Sequence, residues 1–298
     1  KGYEPMMKHA FKRLQWLVLL TFTGFQSALA DDNLKPYILT SATYESMADA
    51  TAAVTEQLTA NGFQVVGQYS PYAGALVIGI TSEALRGIAA NTEHGGFGAA
   101  VRLSITEAEE GLQIAYVNPD YLAGIYRMDS LAEISSALAT ALGEGKTFGS
   151  SKGLSAKKLA KYHYMMAMPY FDDVDVLAHY DSFAEAINSV EKNLEAGVAD
   201  TVKVYRVDVT DKEEALFGVG LRSGDGSDQT VMTNADLAET KHTAHLPYEL
   251  LVSGPDVIAL RGRFRIAQSF PDLTMGTFMK IRSAPGAIKS TLTQVAQP

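Results

Sequence analysis

The residues with the means to do chemistry fall in a few places. His94 stands in the run Asn91-Thr92-Glu93-His94-Gly95-Gly96-Phe97. An imidazole beside a glycine cluster is a candidate general base or ligand, and a base of this kind needs a carboxylate to orient it. Only Glu93 is near by spacing, and an ordinary exposed loop histidine gives the same pattern. Gly149-Ser150-Ser151-Lys152-Gly153 has the G-x-S-x-G spacing of a hydrolase elbow, with Ser151 as nucleophile. That chemistry needs a strained strand-to-helix turn, and this match lies in a polar stretch after a helical pattern. Gly145-Lys146-Thr147 ends like a phosphate loop, but Thr140 stands where that pattern requires glycine. Ser155 and Lys158 form S-x-x-K without companion motifs. No catalytic residue is assigned; a periplasmic hydrolase using Ser151 or His94 is the rival reading.

Arg261, Arg263 and Arg265 recur every second residue. On a strand they share one face, and a row of guanidiniums suits a carboxylate or phosphate. Tyr69, Tyr72, Tyr116, Tyr121 and Tyr126 cluster in the first half, and tyrosines can line an amphipathic cleft. His94, Tyr116, Tyr121, Arg261, Arg263 and Arg265 are therefore the candidate ligand-binding residues. His163, His179, His242 and His245, with Met165, Met166 and Met168, come nearest to a soft metal set. Methionine is also a routine core filler. A Met/His metal-binding module is a third reading, but no metal ligand and no cofactor is assigned.

Composition narrows the classes. The formal charge is −9 and cysteine is absent. Disulfides, thiolate metal sites and cysteine nucleophiles are excluded. An acidic chain without clustered positive charge is a poor nucleic-acid binder. At the start, Met6 and Met7 precede Lys8, Lys12 and Arg13, then an apolar run from Leu14 to Phe25, then Ala28-Leu29-Ala30. That layout is a secretory signal peptide cleaved before Asp31, and the run is shorter than the ~20 residues that span a bilayer. Lys1 to Pro5 read as an upstream extension or a misplaced start. The expected location is periplasmic or secreted, with no transmembrane segment in the mature chain.

These residues need elements to hold them. Met47, Ala50, Val54 and Leu58 recur at helical spacing, with Thr43 as candidate N-cap. Phe63 to Tyr69 and Ala75 to Ile80 read as strands, and Ser82 to Asn91 as a short helix. Phe97, Ala99, Val101, Leu103 and Ile105 alternate with Gly98, Ala100, Arg102, Ser104 and Thr106, a period of two. After the acidic turn from Glu107 to Gly111 the alternation resumes at Leu112, Ile114 and Tyr116, so the pair is a hairpin. Arg102 falls on its polar face, where replacement by alanine should cost only about 0.5 kcal/mol. Ser130 and Glu133 form a capping box for a helix with Leu131, Ile134, Leu138 and Leu142.

The second half repeats this order. Phe183, Ile187, Val190 and Leu194 mark a helix. Thr201 to Val209 and Ala215 to Leu221 mark two strands. Leu246 to Val252 and Ile258 to Ile266 mark an alternating hairpin, and Ile288, Leu292 and Val295 a last helix. The sequence of elements is an internal duplication of pattern rather than of residues.

In the first half a short helix (Ala84 to Asn91), a glycine loop, the alternating strand, the acidic turn, a second strand ending in Asn118-Pro119, and Tyr121-Leu122-Ala123 follow in order. This arrangement resembles the DUF302 family of small α+β domains over residues 35 to 145. The resemblance implies the fold and a homodimer, but no reaction. A Leu-Pro-Cys-like entry to the first strand, common in that family, is replaced here by Gly95-Gly96-Phe97, so no cysteine-based role carries over.

The resulting expectation is α+β, two similar halves, each a largely antiparallel sheet packed with helices. Residues 1–30 are the signal peptide with its extension and 31–145 a DUF302-like domain. Residues 146–161 are a Gly/Ser/Lys linker and 162–298 a second, diverged DUF302-like domain. The expected function is a non-enzymatic module, structural or binding a small anionic or amphipathic ligand.

Overall fold

The computed structural model describes residues 33–162, 170 and 173–298. The first half runs β1 (Tyr37–Thr40), α1 (Met47–Ala60), β2 (Gln64–Tyr69), β3 (Ala75–Thr81), α2 (Glu83–Ala90), β4 (Val101–Ala108), β5 (Gly111–Val117), α3 (Pro119–Tyr126), α4 (Ala132–Leu142), β6 (Gly145–Phe148) and α5 (Ala156–Leu159). The second runs β7 (Val174–His179), α6 (Phe183–Glu195), β8 (Thr201–Asp208), β9 (Glu214–Leu221), α7 (Asp228–Ala235), β10 (Tyr248–Ser253), β11 (Asp256–Leu260), α8 (Gly262–Ser269), α9 (Met275–Lys280) and α10 (Ala284–Ala296). A 3-10 turn precedes each hairpin, at Gly95–Gly98 and Thr243–His245.

Each half forms one antiparallel sheet. Their strand orders are β2-β3-β4-β5-β1-β6 and β8-β9-β10-β11-β7. Apart from β6 the orders are the same, so the two halves are similar, as the element order predicts. Local signals repeat too. Ser46 caps α1 and Ser182 caps α6; Ser82 caps α2 and Ser227 caps α7, each accepting a backbone N–H three residues on. A serine oxygen at this position satisfies one of the orphan donors of a helix start. Ser46, not Thr43, is therefore the cap of α1.

The second correction concerns the hairpin's polar face. Val101, Leu103 and Ile105 are buried, but so are Arg102, Ser104 and Thr106. The Arg102 guanidinium reaches Ala244 and Glu249, and Thr106 bonds Thr243, all in the second half. The face expected to meet water meets the other half. Val204, Tyr205, Val207, Leu251 and Ile258 accordingly share one core with Leu103, Phe97 and Tyr116. Helix α6 buries Ala186, Ile187, Val190 and Leu194 on the far side of the second sheet, joined by Ile288, Leu292 and Val295 of α10. Each buried Ile, Val or Leu side chain among these contributes roughly 1.5–3 kcal/mol. The described residues belong to one compact unit.

Two further expectations change. The stretch read as a linker carries β6, paired antiparallel to β1, and the turn of helix α5 packed on α3. The return strand read through to Ile266 ends at Leu260, and Arg261 caps α8. Alternation in Phe264 and Ile266 mimicked a strand because short apolar runs of the two kinds share spacings.

Candidate functional site

In a helix, residues two apart point to nearly opposite sides. Arg263 and Arg265 of α8 therefore part company. Arg265 turns inward and is 3% exposed in its side chain. Arg263 turns outward and, with the part-buried cap residue Arg261 and with Arg282, lines an open cleft of about 730 Å³. The first turns of α8 and α10 meet there: Gly262 and Arg263 on one side, Ser283, Pro285 and Gly286 on the other. Gly262 permits the meeting, since a Cβ there would lie 2.9 Å from Cα of Pro285. Asp173 and Asp175 complete the wall. Asp175 is held by Lys289 at 2.9 Å and faces Nε of Arg261 at 3.6 Å. Three guanidiniums beside the positive ends of two helices favour an anion.

Arg265 joins a buried polar cluster between the sheets. Glu249 of β10 is its centre. Glu249 Oε1 accepts from Arg102 Nη1 at 2.8 Å and from the Tyr205 hydroxyl at 2.8 Å; Oε2 lies 3.5 Å from Arg265 Nε, an ion pair without a formed hydrogen bond. Arg102 Nε donates to the Ala244 carbonyl at 3.1 Å. Arg265 donates to Ser269, to the carbonyls of His245 and Pro247, and toward His245 Nδ1 at 3.1 Å. That donor makes Nδ1 an acceptor, so Nε2 carries the proton and faces the Tyr248 hydroxyl at 3.2 Å.

Electrostatics follow from burial. Desolvation, then the charges of Arg265 and Arg102, hold His245 well below the usual imidazole range, so it is neutral. Burial pushes the Tyr37 phenol up to about 12 and raises Tyr126 and Tyr205, both further by Glu249. The Tyr37 hydroxyl makes no well-formed hydrogen bond, although Ser269 polarises it. These groups hold their protonation states near neutrality, and the adjoining cavity is only about 10 Å³. That is room for a single water. The cluster fastens the halves together and leaves no space for a substrate.

The remaining sequence candidates scatter. His94 is half-exposed in a left-handed conformation (φ 53°) before its 3-10 turn. Tyr116 and Tyr121 are buried, and the Tyr121 hydroxyl donates to the Gln268 carbonyl at 2.9 Å. Ser151 is exposed, its backbone N–H held by Asp272 at 2.6 Å. His242 is buried against Asp236 (2.8 Å) among the rings of Tyr37, Phe148 and Phe270. His179 pairs with Asp256 at 2.7 Å. His163, Met165, Met166 and Met168 lie outside the described residues. Among the described residues no group of three or more His, Asp or Glu is placed to hold a metal ion. No described helix is long and apolar enough to cross a membrane. Sequence reasoning missed Arg282 and Glu249. Glu249 alone carried a signal, as a charge inside the alternating run from Leu246 to Val252.

Comparison with solved structures gives a likeness to part of the chain. No protein family's sequence profile matches the chain, and no curated protein matches it. A solved structure described as an uncharacterized conserved protein DUF302 from Bacillus stearothermophilus is similar to part of it. That match has 19% identity and a TM-score of 0.31, and covers 36% of this chain and 93% of the other.

Proposed function

We propose that this chain is a non-catalytic binding module that works outside the cytoplasm and takes a small anionic ligand in the arginine cleft. The observation that supports the ligand is the convergence of Arg261, Arg263 and Arg282 on one open cleft at the start of α8 and α10. A carboxylate or phosphate there gains charge-assisted hydrogen bonds, worth more than neutral ones. The catalytic alternatives lack comparable support, since Ser151 lies in an exposed segment and half-buried His94 in a separate one. Export is supported by the basic, apolar and Ala28-Leu29-Ala30 layout of the N-terminal sequence.

Titration calorimetry with citrate and inorganic phosphate tests the ligand. Binding should weaken roughly tenfold or more in Arg263→Ala and in Arg282→Ala. Binding unchanged in both variants would remove the cleft from consideration. N-terminal sequencing of secreted or periplasmic protein should begin at or near Asp31; recovery of full-length cytoplasmic protein would overturn export.

A further inference from the structure

The two halves differ in one respect that bears on this cleft. Ser104 pairs with Ala115 as Leu251 pairs with Ile258, and Leu39 pairs with Ala115 as Val176 pairs with Ile258. Val176 of β7 therefore holds the place of Leu39 of β1. On its other side Leu39 pairs with Lys146 of β6. From β6 the chain leads on to α5, whose Leu159 lies over Gly124 of α3. Helix α8 follows β11 as α3 follows β5. Yet β7 is an edge strand among the described residues, with no counterpart of β6 beside it. Val176 is 61% exposed there. The arginine cleft adjoins the start of this open edge, sharing Asp173, Asp175 and the first turn of α8.

We infer that the β7 edge and the arginine cleft together receive the C-terminal segment of another polypeptide, added as an antiparallel strand. The inference rests on the anion reading of the cleft and extends it to a ligand class. An edge that is unpaired among the described residues offers a row of main-chain donors and acceptors for an incoming strand. The first half shows the geometry that fits: β6 runs antiparallel to β1, with Phe148 at its end beside Tyr37 and Gly145 beside Thr40. A strand so placed on β7 ends beside Val174, at the mouth of the cleft. Its terminal carboxylate then meets Arg263 and Arg282, which complement its charge. Val176 supplies the apolar contact for an alternate side chain.

The test uses the mature chain and a fluorescein-labelled Thr-Val-Thr-Val-Thr-Val peptide, as free acid and as C-terminal amide, with citrate as a separate titrant. The free acid should bind, and the amide should bind roughly tenfold more weakly, the loss of about one charge-assisted contact. Arg263→Ala should erase the difference between acid and amide. Val176→Asp, an exposed change whose thermal melt should match the parent, should weaken the peptide while leaving citrate binding intact. Citrate binding without peptide binding, or equal binding of acid and amide, would overturn this inference and leave the anion site standing. Failure of both citrate and peptide would remove the cleft itself. Concentration-dependent self-association that Val176→Asp abolishes would put a second copy on this edge and overturn the peptide.

Discussion

Arg102 of β4 and Glu249 of β10 hold equivalent places in the two sheets and pair with each other at 2.8 Å. Arg102 stands across from Gly79 in its ladder, as Glu249 stands across from Gly218. Both side chains are 2% exposed or less. Glu249 is the one carboxylate facing two guanidiniums here, since Arg265 lies on its other oxygen. The losses should therefore be unequal. Arg102→Ala should cost about 3 kcal/mol, well above the value for a solvated sheet face. Glu249→Gln should cost more, because it strands two buried cations. Urea unfolding of both variants decides the matter, and equal small losses would mean that water reaches the cluster.

Asp228 gives a pH dependence. Burial pushes its carboxyl up to about 8, against weaker lowering by the Leu221 N–H and the Tyr69 hydroxyl. Its unfolded value is 3.8. Between these values the folded chain holds a proton that the unfolded chain has lost. This contribution is fully present below about pH 4, shrinks as pH rises to about 8, and is then level. Asp228→Asn should remove that slope and raise the melting temperature at pH 7, while leaving it nearly unchanged at pH 4. Parallel melting curves for parent and variant across this window would contradict the assignment.

Tyr205 fills a slot made by two glycines. A Cβ on Gly79 would lie 2.4 Å from its Cδ1, and one on Gly218 2.6 Å from its Cε1. The ring cannot swing away without giving up its bond to Glu249. Gly218→Ala should then destabilise by about 1–3 kcal/mol through overpacking. In a Tyr205→Ala background the same change should cost much less, a non-additivity read from a double-mutant cycle. Additive losses would show that the strain lies elsewhere.

Ser151 should be inert. Its segment does join β6 to the single turn α5, but Ser151 is exposed there with its backbone N–H tied to Asp272, and neither His94 nor any other histidine is bonded to its hydroxyl among the described residues. A fluorophosphonate probe should leave the chain unlabelled. Stoichiometric labelling lost in Ser151→Ala would restore the hydrolase reading.

Much of the architecture was legible in sequence because it is set by local periodicity and punctuation. The alternation from Val101 to Ile105 marked a strand, Val54 and Leu58 marked a helical stripe, and the repeated order of elements marked two similar halves. The same local signals misled where they were short. Arg261 to Ile266 alternates like a strand but follows a cap into α8, and Gly145–Phe148 is too brief and polar to show as β6. What covers each face was not legible at all. Alternation says that a strand has two unlike faces, but water, a helix and another sheet are all consistent with a polar one. Only the packing of one half on the other buried Arg102 against Glu249, and only the helical turn at α8 sent Arg265 inward and Arg263 out to meet Arg282. These partners lie between about 20 and 150 residues apart in the chain, and a pairing at such separation is fixed by three-dimensional complementarity, for which no spacing rule exists.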